Sequence, residues 1–228
     1  CDRRSHNAKN LFLTEYNLTS LFSIYDVLKI LLSNNKITYD SYTNILDYVD
    51  KYKTQYLSFN QRRELTTNSL TKKIFTLMET KKTNLCLSAD LRDKNELIKI
   101  ITDLGEHICI LKLHCDIIEN FDDEFIQKLT KLAESKQFFI FEDRKFADIG
   151  KISQIQMGGI YDIRSWADLV TAHRISGPDI VDGLGASWGD VERIGGIFLL
   201  AQMSSRGNLL SSEYTDEVVD TGNGSPHV

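Results

Sequence analysis

The spacing of apolar residues changes period along this chain. Leu21, Phe22, Tyr25, Leu28, Leu31 and Leu32 recur at helical spacing, with Thr19 and Ser20 as caps. A second amphipathic helix follows Asp40, with Tyr42, Ile45, Leu46, Val49 and Tyr52 on one face. Residues 53–67 lose periodicity and gain polarity, the pattern of a linker. Leu70, Ile74, Leu77 and Met78 then form the stripe of a short helix over Ser69–Met78.

From residue 84 onward, short apolar runs alternate with amphipathic stretches. Asn84–Asp90, Ile108–His114, Phe138–Glu142, Ala167–His173 and Ile197–Met203 read as strands. Asp93 caps a helix with Glu96 three residues on; Leu97, Ile98, Ile101 and Leu104 face inward, and Gly105 ends it. Asp122 opens another, with Phe125, Ile126, Leu129, Leu132 and Ala133 inward. Nearly all-apolar strands alternating with helices predict an α/β fold with a parallel sheet. Polar residues stand at successive strand ends: Asp90, Lys112 and His114, Asp143 and Lys145, His173, and Ser204. That placement favours a (β/α)8 TIM barrel, whose chemistry sits at that end, over a doubly wound sheet, which would carry a glycine-rich first turn. About five of eight strands are legible, so a barrel truncated after about five strands, preceded by a short helical segment, is expected. Residues 221–228 read as a disordered tail.

Composition narrows the classes. The 228 residues are 42% hydrophobic with only two prolines, which excludes a disordered or fibrous chain. A net charge of −5 carries no nucleic-acid footprint. No apolar run is long enough for a membrane helix and no signal peptide is evident. Cys1, Cys86, Cys109 and Cys115 match no zinc or disulfide pattern, so a reducing cytosol is expected. A start at Cys1 suggests a fragment or processed product.

The stretch with chemistry runs from His107 to Gly150. Alternation along a strand puts Asp143 and Lys145 on one side, roughly 7 Å apart. Lys112 ends the neighbouring strand and Asp148 lies in the loop beyond. Two cations and two carboxylates in one pocket keep each other ionised. The bland alternative is an ordinary ion-pair network at a strand end, and spacing does not separate the two. His173, Trp166 and Trp188 read as structural.

The stretch Phe141-Glu142-Asp143-Arg144-Lys145-Phe146-Ala147-Asp148-Ile149-Gly150 resembles the signature of the orotidine 5′-phosphate decarboxylase family. Lys112-Leu113-His114-Cys115-Asp116-Ile117, Leu87-Ser88-Ala89-Asp90, Ser165-Trp166-Ala167-Asp168 and Ala201-Gln202-Met203-Ser204-Ser205 fit in order. The resemblance covers about Ser69 to Asp220. It implies decarboxylation of orotidine 5′-monophosphate to UMP in pyrimidine biosynthesis, with no metal and no organic cofactor. The implied catalytic residues are Lys112, Asp143, Lys145 and Asp148; Asp148 and Ile149 reach across a homodimer with a shared active site. Ser88, Asp90, His114, Ile149 and Ser204 are the implied substrate-binding residues. Residues 1–34 resemble the end of an orotate phosphoribosyltransferase domain, 35–66 a helical linker and 67–220 the first part of the decarboxylase barrel, the order of a bifunctional UMP synthase. Lys151-Ile152-Ser153 departs from the usual Asn-Thr-Val, and Gln202 from a common Glu. The family's phosphate-gripping residues lie in strands beyond those found here, which leaves a truncated, non-catalytic chain able at most to dimerise as the alternative. A related, metal-dependent sugar-phosphate decarboxylase is the weaker third reading.

Overall fold

The computed structural model describes residues 24–51 and 57–228. They fall into two units, Cys1–Ser58 and Phe59–Val228. In the first, α1 (Ile24–Ser33) packs against α2 (Tyr39–Lys51) and buries Leu28. Thr38 Oγ1 accepts the Ser41 N–H at 3.1 Å and so caps α2. The expected caps Thr19 and Ser20, with Leu21, Phe22 and Tyr52, lie outside the described residues.

The second unit begins with α3 (Phe59–Leu65), inside the stretch expected to be an irregular linker. The Phe59 ring stacks on Phe75 of α4 (Ser69–Lys81), centroids 6.2 Å apart, a tertiary contact that periodicity does not show. Asn68 caps α4 by accepting the Thr71 N–H at 2.9 Å. The chain then runs β1 (Cys86–Ser88), α5 (Lys94–Leu104), β2 (Ile110–Leu113), α6 (Asp123–Lys136), β3 (Phe139–Phe146), α7 (Gly150–Met157), α8 (Ile163–Trp166), β4 (Leu169–Ala172), α9 (Asp179–Gly189), β5 (Gly196–Leu199) and α10 (Ser212–Gly224). The five strands form one parallel sheet in chain order. This is the expected α/β arrangement, and among the described residues the sheet does not close into a barrel.

Asp93 and Asp122 cap α5 and α6 through their carboxylates, as their spacing indicates. Leu97, Ile101, Phe125 and Leu129 are buried, whereas Leu104, expected to face inward, is exposed where α5 tightens into a last 3-10 turn. On the outer face of the sheet, Leu111, Leu113, Ile140 and Val170 meet these side chains and Trp166, Leu184 and Trp188. Both tryptophans are structural: Trp166 Nε1 donates to Tyr161 O and Trp188 Nε1 to Ala167 O. On the inner face, Leu70 and Ile74 of α4 cover Ile110, Phe141 and Leu169. The Lys81 ammonium donates to the carbonyls of Gly105, Ile108, Lys136 and Gln137 at 2.6–2.9 Å, which satisfies the ends of α5 and α6 together.

Three expectations are corrected. The third strand does not stop at Glu142 but runs to Phe146, through the charged cluster, because it bulges. The fifth is shorter than expected, ending at Leu199. Residues 221–228 are not a disordered tail: the first four complete α10, Asn68 Nδ2 donates to Pro226 O at 2.9 Å, and Val228 packs on the outer-face core. The edge of β5 supplies part of the reason, since Ile197 N, lacking a further strand, donates to His227 O at 2.8 Å.

Helices α7 and α9 pack closely, and the loop 147–149 before α7 is set by that packing. A Cβ on Gly183 would stand 2.3 Å from Gly150 O. Gly183→Ala is therefore expected to cost about 1–3 kcal/mol in urea unfolding. An unchanged midpoint would show that the two helices separate freely.

Candidate active site

The site is built on an irregularity in β3. Glu142 pairs with Val170 of β4, but the next β4 residue, Thr171, pairs with Lys145. Asp143 and Arg144 are thus extra residues without partners in β4. Because the insertion is two residues long, alternation keeps its phase, and Asp143 and Lys145 share the inner face with Thr171. In-register pairing of Ser88 with Lys112 brings the end of β1 to the same face.

Asp143 is the hub. Lys145 Nζ lies 3.0 Å from its Oδ1, and Lys112 Nζ lies 3.4 Å from its Oδ2. Thr171 Oγ1 donates to Oδ1 at 2.7 Å. Burial alone would raise the Asp143 pKa; the Thr171 hydrogen bond, then Lys145 and Lys112, outweigh it and hold the carboxyl below its ordinary value. Lys112 also pairs with Asp90 Oδ1 at 3.2 Å and stands 3.3 Å from His114 Nε2. His114 Nε2 is 3.8 Å from both Asp90 and Asp143, and Ser88 Oγ is 3.4 Å from Asp90 Oδ2. The result is a chain of alternating charge, Asp90–Lys112–Asp143–Lys145, across the ends of three adjacent strands.

The structure therefore brings together Ser88, Asp90, Lys112, His114, Asp143 and Lys145. It keeps three other candidates apart from that chain. Asp148 accepts the Ile149 N–H on its own Oδ1, and its carbonyl takes hydrogen bonds from Ser153 Oγ and Ser176 Oγ. Ile149 is exposed, and with Asp148, Lys145, Gln156 and Ser176 it lines a cleft of about 400 Å³ beside the array. Ser204 sits on an irregular segment after β5 and, among the described residues, shares no hydrogen bond with the cluster. His173 donates its N–H to Phe146 O; burial, then the field of Lys145, lowers its pKa.

Two residues escaped the sequence reading. Thr171 looks like an ordinary β-branched strand residue, yet its hydroxyl holds Asp143. Glu142 lies on the outer face, fully buried; its Oε2 accepts the Cys115 N–H at 2.9 Å and its Oε1 has no partner. Burial, and secondarily Asp116, push Glu142 up to about 7 against the pull of its hydrogen bond.

Parallel strands with a charged array at their C-terminal ends, facing inward, have the arrangement of the β/α-barrel class. The orotidine 5′-phosphate decarboxylase / HUMPS family profile matches residues 83–225, and the chain belongs to that family. It is 44% identical over 167 residues to the orotidine 5′-phosphate decarboxylase of Cyberlindnera fabianii, covering 72% of this chain and 63% of that one. It is 37% identical over 236 aligned positions to the uridine 5′-monophosphate synthase of Bos taurus, covering 96% and 49%. The crystal structure of orotidine 5′-monophosphate decarboxylase from Methanocaldococcus jannaschii superposes with a TM-score of 0.50 at 19% identity, over 61% of this chain and 65% of that one. The chain thus spans less than two thirds of the length of these relatives.

Two measurements test the electrostatics. Thr171→Val, nearly isosteric, should raise the Asp143 pKa in a carbon-detected NMR titration; an unmoved titration would show that the lysines alone set it. Glu142 binds its proton more tightly folded than unfolded, so its contribution is full below about 4.5 and lost as pH rises through 7. Relative to the parent chain, Glu142→Gln should gain up to about 3 kcal/mol between pH 5 and 8, read from denaturation at each pH. A pH-independent difference would place the Glu142 titration elsewhere.

Proposed function

We propose that this chain carries the decarboxylase centre of a UMP synthase and acts on orotidine 5′-monophosphate. The observation that carries the reading is the inward-facing array with Asp143 held ionised between Lys112 and Lys145. The family membership and the fungal relatives' named activity support it. In this reading Asp143 crowds the substrate carboxylate, which is worse in the ground state than after CO2 has left. The bond to the departing carbon breaks, its electron pair stays on the pyrimidine carbon, and the Lys145 ammonium stabilises that charge and delivers a proton. Solvent then reprotonates Lys145. Lys112 holds Asp143 in place and meets the ribose; Ser88, Asp90 and His114 line the nucleotide site, and Ser204 is assigned to a hydrogen bond with the pyrimidine ring. Fixed charge that needs no rearrangement suits a reaction without cofactor.

Asp148 and Ile149 are assigned to a site shared across a homodimer. The cleft beside Lys145 and the exposed Ile149, Ile152, Ile155, Ile160 and Ile175 support this. Residues 1–34 are assigned to the end of a transferase domain, 35–66 to a linker and 67–220 to the decarboxylase. The support is that the Bos taurus synthase covers 96% of the chain and the Cyberlindnera decarboxylase 72%, with a unit boundary at Ser58. A reducing cytosolic setting accords with free Cys86, Cys109 and Cys115. Among the described residues no helix is long and apolar enough to cross a membrane.

One observation favours the non-catalytic alternative for these 228 residues by themselves: the inner face, covered by α4 over its middle strands, is open at β1 and β5, where Cys86 and Phe198 are exposed. Loss of orotidylate absorbance separates the two. Turnover is expected, and Lys145→Ala should reduce it by about 10²–10⁴-fold. Turnover that Lys145→Ala leaves intact would remove the proposal. A folded, dimeric chain without turnover would support the alternative.

A further inference from the structure

Strand β2 ends at Leu113, and the chain turns into a 3-10 helix over Cys115–Ile117. Pairing between β2 and β3 ends at Leu113 with Glu142. The Cys115 amide, at the start of that turn, has no backbone acceptor among the described residues. The Glu142 carboxylate reaches round from the outer face and accepts the Cys115 N–H at 2.9 Å. A second stitch joins the same two segments: Arg144, the other bulge residue, lies 3.9 Å from Asp116. His114 is held between a laddered residue on one side and this clamped amide on the other. Its ring stands 3.3 Å from Lys112 Nζ on the opposite face.

We infer that Glu142 is a positioning residue for the active site, acting from behind the sheet through Cys115 to fix the backbone that presents Lys112 and His114. The inference about the clamp stands on geometry alone; its consequence for substrate rests on the decarboxylase reading. An ordinary packing role is a poor account of a fully buried carboxyl with one hydrogen bond and one unpartnered oxygen, because leucine would fill the space without the desolvation cost. What leucine cannot do is accept the amide.

Hydrogen exchange on the 228-residue chain needs no variant. The Cys115 amide, outside any strand ladder, should exchange about 100-fold more slowly than an unstructured amide; exchange at the unstructured rate would overturn the clamp. Glu142→Leu, where it folds, should lose about tenfold of that protection and shift the His114 ring resonances, while Glu142→Gln, which keeps an acceptor oxygen, should retain both. Folded Glu142→Leu with unchanged protection and unchanged His114 resonances would also overturn it. In protein that turns over orotidylate, Glu142→Leu should raise KM about tenfold and Glu142→Gln should restore it. If the parent protein shows no turnover while exchange and resonances behave as expected, the decarboxylase reading fails and the clamp stands.

Discussion

An ionised carboxylate between two ammonium groups is the constraint on which this structure turns. Asp143 is substantially buried, and burial by itself would raise its pKa. Two lysines from different strands and the Thr171 hydroxyl supply the compensation, and each must arrive from its own segment. The sheet has to be parallel and in this order for Lys112, Asp143 and Thr171 to meet, since β2, β3 and β4 are neighbours. The packing of α5, α6 and α9 on the outer face keeps those strands in register. Fold and site are therefore one problem: the apolar outer layer supplies the stability that a cluster of four charges does not.

The two faces of β3 divide the labour. Inward, Asp143 and Lys145 carry the charge. Outward, Glu142 and Arg144 stitch the strand to the turn after β2, while Phe146 is buried in the apolar layer. A loop then leaves β3 and is pinned at Asp148 O by two serine hydroxyls before the close contact of Gly150 with Gly183. One of those serines, Ser153, lies in the segment that departs from the family's usual Asn-Thr-Val. The hydroxyl there points inward to the loop backbone, and Ile152 occupies the more exposed position. Ser153 thus serves as internal support for the loop.

Much of this was legible before any coordinates. The capped helices over Lys94–Leu104 and Asp123–Lys136 announce themselves because Asp93 and Asp122 precede clean apolar stripes. The strands announce themselves as short apolar runs, and the polar residues at their ends pointed to the charged array. What stayed hidden was non-local. Helix α3 depends on an aromatic contact with α4, and α7 to α10 have weak or glycine-broken stripes. The bulge is silent because two extra residues leave the alternation of Asp143 and Lys145 unchanged. Thr171 and Glu142 cannot be picked out by type, since their roles come from partners 28 and 27 residues away. The ordered end of the chain depends on the unpaired edge of β5, which no local pattern reports.

The two-residue length of the bulge has an evolutionary side. Side chains on a strand obey parity, so this segment can lengthen or shorten by pairs without changing which groups face inward. A single insertion or deletion between Glu142 and Lys145 would be a frameshift in space rather than in code: the lysine would be driven into the apolar layer and Arg144 into the charged pocket. Drift in length at this point is thus quantised, and a lineage that keeps the array can change its bulge only in even steps.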